Sequence, residues 1–193
     1  IDDQKLFFYV KRGLYEEFIN NSKFYYVDIL GKCFLEGIGC EKSIEKAIQV
    51  YELASKNNPE PSWYELANIY ERIGSEESLN KASYYYQKRF EFLMNECDLD
   101  SSYIQFIIGR CYQMGRGTEK SMEKAFYYYN LAANQGYICA GIFLGRFYEN
   151  GWAVEKSLEK ALYYYELAIK ENDYDAYIYA INLLWENRID DQK

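Results

Sequence analysis

The chain has 193 residues, long enough for a core of its own, and sets 22 Lys and Arg against 30 Asp and Glu, a net charge of −8. That balance argues against nucleic acid as the main partner, because phosphate binding needs a basic face, and also against anionic membrane surfaces. With no histidine, Ser-His-Asp and Cys-His catalytic arrangements are excluded, and a zinc site would need C-x-x-C spacing, which is absent.

One phrase organises the chain: E-K-S-I-E-K-A at 41–47, E-K-S-M-E-K-A at 119–125 and E-K-S-L-E-K-A at 155–161. Recurrence at a period of tens of residues predicts a solenoid of stacked units. In chain order, residues 1–21 read as a half repeat, a second helix without a first. Repeat 22–61 has a first helix near 24–36, the turn G-I-G at 37–39, and a second helix from Ser43 to about Asn57; Pro59 and Pro61 mark the next turn. Repeat 62–100 departs from the pattern: it has Ala82 and Tyr86 but Arg89 where alanine is expected, and its loop lacks a second glycine. The step from Ala82 to Ala125 is 43 residues, against 35 and 36 elsewhere. The simpler account of the excess near 92–100 is a second helix longer by two turns; a hinge or a partner contact is the other.

Repeat 101–136 shows the pattern best. Tyr103, Phe106, Ile107, Ile108, Cys111 and Tyr112 form a broad apolar helical face, and G-R-G at 115–117 stops it. Ser121 caps the next helix and Glu123 suits its dipole. Repeat 137–173 follows, with helices near 138–150 and 157–171. Residues 174–193 read as a first helix without a second, with Tyr177, Ile181, Leu184 and Trp185 on an apolar face. The second helices share A-x-x-x-Y-x-x-A: Ala47, Tyr51 and Ala54; Ala125, Tyr129 and Ala132; Ala161, Tyr165 and Ala168. Offsets of four and seven place each set on one stripe, alanine admitting the partner helix and tyrosine filling the gap. The tyrosine triplets at 84–86, 127–129 and 163–165 are assigned to packing rather than recognition. The expected fold is all-α, a right-handed α-α superhelical solenoid of about nine or ten helices forming a single domain.

Cys33 and Cys111 share a repeat position that other copies fill with Ile69 and Phe147, so it is a packed apolar site. Free thiols and an intracellular setting are expected. No apolar run is long enough to insert in a membrane, and no signal peptide is visible. The start at Ile1 rather than Met suggests a fragment.

Leu30, Gly31, Phe34, Gly37 and Gly39, then Gly109, Tyr112, Gly115, Gly117, Ala132, Ala133, Gln135 and Gly136, then Leu144, Gly145, Tyr148 and Gly151 recur in register. This pattern resembles the Sel-one-like repeat, a branch of the tetratricopeptide-like helical repeats. The resemblance implies a non-catalytic adaptor that holds a protein or peptide partner on a curved surface. A cysteine-rich branch bridges its helices with disulfides; Ala133 occupies that helix-end position here, so the chain does not resemble that branch.

In such solenoids the first helices line the concave face. With Gly31, Ala67, Gly109 and Gly145 in one column, the next residue points into the groove: Lys32, Asn68, Arg110 and Arg146. Four earlier lie Asp28, Tyr64, Phe106 and Ile142. Basic groups beside aromatics suit an acidic or carboxylate-bearing peptide, so the candidate site is Lys32, Tyr64, Asn68, Phe106, Arg110 and Arg146. The alternative is solvated residues paired with Glu71 or Glu149. Neither a metal nor a cofactor is expected, and Asp2–Asp3 and Asp190–Asp191 read as solvated turns. A targeting or regulatory segment of a larger enzyme or effector is the second function class. The termini share I-D-D-Q-K, which suggests either a super-repeat or head-to-tail self-association through the half repeats.

Overall fold

The computed structural model describes residues 24–171 and 173–190. Among them are nine helices and no strand: α1 (Phe24–Glu36), α2 (Ile44–Ala54), α3 (Pro59–Ile73), α4 (Glu76–Glu96), α5 (Ser102–Met114), α6 (Met122–Asn134), α7 (Ile138–Asn150), α8 (Leu158–Lys170) and α9 (Tyr174–Asp190). They fall into two compact units, Ile1–Phe92 and Leu93–Lys193, the divide lying inside α4. The half repeat at 1–21 and the paired acids at 2–3 lie outside the described residues, as does one of the acids at 190–191.

The E-K-S phrase closes three of the helix pairs, α1–α2, α5–α6 and α7–α8. Its serine is the N-cap: Ser43, Ser121 and Ser157 accept at Oγ from the backbone N–H of Lys46, Lys124 and Lys160 at 3.2, 3.2 and 3.3 Å. The same serines donate their own N–H to the carbonyls of Phe34, Tyr112 and Tyr148 at 2.8, 2.9 and 2.9 Å. One residue therefore starts the second helix and ties it to the last turn of the first. The loop between also repeats its backbone: φ is 68° at Gly39, 77° at Gly117 and 56° at Ala153. Ala153 adopts the left-handed conformation that its sister repeats give to glycine.

Within a pair the helices run antiparallel, and a tyrosine of the second fits a glycine of the first. Tyr51, Tyr129 and Tyr165 are fully buried. A Cβ on Gly109 would stand 2.8 Å from the Tyr129 ring, one on Gly145 2.5 Å from the Tyr165 ring, and one on Gly31 would overlap Tyr51. The absent side chain is thus the seat of the ring. Each hydroxyl finds a partner on the first helix: Tyr51 donates to the Asp28 carbonyl at 3.3 Å, Tyr129 to Gln113 Oε1 at 2.6 Å and Tyr165 to Glu149 Oε2 at 2.6 Å. Burial pushes all three phenols above their ordinary pKa.

The triplets divide this labour. The third tyrosine is the buried one. The second, Tyr85, Tyr128 or Tyr164, stacks on Tyr70, Tyr112 or Tyr148 of the first helix at 5.9, 5.7 and 5.9 Å. The first, Tyr84, Tyr127 or Tyr163, is exposed.

The departing repeat has its own solution. Its extra residues lie in α4, which runs for 21 residues against 11 to 13 for the other second helices. Arg89, standing for alanine, is 8% exposed and pairs with Glu60, Nε to Oε1 at 2.8 Å. Its guanidinium lies over Tyr64 at 4.6 Å. A charge so deeply placed requires such a partner.

Candidate functional site

In the first unit, α1, α3 and α4 bring together three of the six candidate residues. Lys32 is exposed and donates from Nζ to Asp28 Oδ2 at 2.7 Å, one turn back on α1. That hydrogen bond raises its pKa, against the pull of burial. Tyr64 lies under Arg89. Asn68 Oδ1 accepts from the Tyr86 hydroxyl at 2.7 Å, and Glu71 accepts from the same hydroxyl at 2.9 Å. Glu65 sits among them: burial raises its carboxyl pKa, Asp28 adds to the rise, and Lys32, Arg89 and Asn68 oppose it. This face is anionic and its groups are engaged with one another.

The second unit differs in sign and in pairing. Arg110 of α5 and Arg146 of α7 are half-buried, and neither forms an ion pair among the described residues. The acid suggested for Arg146, Glu149, is occupied by the Tyr165 hydroxyl. Instead Arg146 lies among three rings, Phe143 at 5.9 Å, Trp152 at 5.8 Å and Tyr179 at 5.7 Å. Both arginines act electrostatically on the Tyr129 hydroxyl, each opposing the rise in its pKa that burial causes. Phe106 is 7% exposed and packs on Tyr129, Tyr137 and Phe143 at 5.7, 5.1 and 5.5 Å. It supports the rings of this face from below rather than presenting its own.

Sequence reasoning found the two arginines by column but not their frame. Trp152 comes from the loop that replaces the second glycine, and Tyr179 from the next repeat. The G-W-A-V departure at 151–154 was the one available signal. Elsewhere, none of the five cysteines is in a disulfide; Cys111 is buried and Cys139 exposed. Among the described residues no cluster of His, Cys, Asp or Glu is arranged to hold a metal ion, and no helix is long and apolar enough to cross a membrane.

Comparison with known proteins agrees with this geometry. The Sel1 repeat model matches residues 29–59, 103–137 and 142–173. The unmatched stretch from 60 to 102 holds α3 and the long α4 with Arg89. None of the curated proteins compared with the chain matches it. Among solved structures, the chain is similar to a Sel1 repeat protein from Oxalobacter formigenes, with 25% identity and a TM-score of 0.53 over 82% of this chain. It spans 63% of that protein's length. It is also similar to cysteine rich protein B (hcpB) of Helicobacter pylori, with 27% identity and a TM-score of 0.43 over 70% of this chain and 92% of that one. Sel1 repeats generally mediate protein–protein interaction. Matched over just over half its residues, and built of stacked helix pairs each closed by a capping serine, this all-α solenoid belongs to the Sel1 repeat family.

Proposed function

We propose that the chain is a non-catalytic scaffold whose second unit holds an acidic segment of a partner protein through Arg110 and Arg146. The observation that carries this reading is the absence of any ion-pair partner for either arginine among the described residues. A half-buried guanidinium without a carboxylate is a site in want of one, and a ring-framed guanidinium keeps its in-plane donors for a planar acceptor. The two lie one repeat apart, a spacing of roughly 10 Å that three or four extended peptide residues span. Lys32, Tyr64 and Asn68 contribute less, because each is engaged within the first unit.

Isothermal titration calorimetry with a peptide carrying glutamates three and four residues apart tests the proposal. The double substitution Arg110→Glu and Arg146→Glu is expected to weaken binding at least about 100-fold, the scale of a lost pair of charge-assisted contacts, with circular dichroism unchanged. Equal affinity for the double variant and the native chain overturns the site.

A further inference from the structure

The α9 helix has two unlike faces. Ala176, Ala180 and Leu183 are buried in the core cluster that includes Tyr165 and Ala168 of α8. The other side carries Tyr174, Tyr177, Ile178, Ile181, Leu184 and Trp185, exposed by between 43% at Tyr177 and 81% at Tyr174. Only Asp175 is charged between Tyr174 and Trp185. At about 200 Å² for a fully exposed large side chain, this patch amounts to roughly 700 Å² of apolar surface. That exceeds the few hundred Å² usual on a monomer and is close to the roughly 800 Å² that each partner contributes to a stable interface.

Two features decide what covers it. The 36-residue step that carries Gly109 to Gly145 carries Gly145 to Ile181. A second helix of the repeating type needs a small residue there, since even a Cβ at Gly145 would stand 2.5 Å from the Tyr165 ring. Alanine is accommodated once, at Ala67 beside Tyr86, but a branched four-carbon side chain fills the seat itself. The α9 face therefore does not receive another second helix of this kind. Its exposed seam also has a symmetry of its own. Tyr174, Ile178, Ile181 and Trp185 are spaced 4, 3 and 4 residues apart, the spacing of a two-helix seam. They read aromatic, isoleucine, isoleucine, aromatic in either direction. Laid antiparallel on its own copy, Ile178 meets Ile181 and Tyr174 meets Trp185, twice over.

We infer that α9 is a self-recognition helix, joining two copies of this chain in a closed, two-fold antiparallel pair. An isologous contact of this kind stops at two, whereas a head-to-tail contact between unlike ends continues to a ring or filament.

Sedimentation velocity on the full chain across a wide concentration range tests it. The expected result is a monomer–dimer equilibrium that saturates at two. Ile181→Glu is expected to raise the dissociation constant at least 100-fold, with circular dichroism unchanged because the position is exposed. Trp185→Lys alone is expected to disrupt the dimer, and Tyr174→Glu added to it to restore much of the affinity, by setting glutamate opposite lysine at both ends of the seam. A strictly monomeric native chain, or growth beyond two with concentration, overturns the inference. So does failure of the second substitution to rescue the first.

Discussion

Glu65 shows how a single residue's surroundings are set by neighbours distant in sequence. Its carboxyl is held above the usual pKa mainly by burial and then by Asp28. Between its unfolded and folded pKa values the native state binds the proton more tightly than the unfolded chain does. Stability therefore falls as pH rises through that window and stays lower at neutral pH. Glu65→Gln is expected to raise Tm at pH 7, by a few degrees at most, and to leave it unchanged near pH 3, where both states are protonated. Thermal melts at the two pH values check this, and a lower Tm for the variant at pH 7 contradicts it. The sequence shows only that Glu65 stands in a column the other repeats fill with Ile29, Ile107 and Phe143; its neighbours were not legible, because they come from α1, α3 and α4. Arg110 and Arg146 were legible for the opposite reason: they stand beside glycines that recur in register.

At the scale of the element, the helices follow from local chemistry. Serine caps, glycine turns and the A-x-x-x-Y-x-x-A stripe are each decided within one repeat, which is why helix positions could be read off the sequence. The α4 helix obeys the same rules and breaks one. Its length was foreseeable from the 43-residue step, but the partner of Arg89 was not, since Glu60 lies 29 residues away at the start of α3. Truncating one side of so enclosed a pair strands the other charge. Arg89→Ala is expected to cost about 3 kcal/mol in urea unfolding, and adding Glu60→Ala to recover much of that loss. Additive losses from the two substitutions would show that the pair is not coupled.

For the molecule as a whole, stability is built from neighbours, within each unit one helix pair resting on the next element. The division into two units lies at Phe92 and Leu93. It falls within a continuous helix, where neither composition nor turn residues change. The glycine–tyrosine fit has a consequence for how such a chain can change length. Gly31 and Tyr51, Gly109 and Tyr129, and Gly145 and Tyr165 are each 20 residues apart, so every ring and its seat are encoded in one stretch shorter than a period. The gene can therefore be cut and rejoined one whole period at a time without separating them. Excising residues 126–161 joins Ala125 to Leu162 and hands Tyr165 to Gly109. The product is expected to unfold cooperatively in urea with a smaller m-value, in proportion to the surface lost. Excising 126–155 removes 30 residues, places no tyrosine four residues after Ala125, and is expected to abolish the cooperative unfolding of the second unit. Should both shortened chains behave alike, the fit is not what sets the unit of length; should they differ as described, the stretch from Gly109 to Tyr165 is written in a quantum of 36 residues and can be edited only in whole numbers of it.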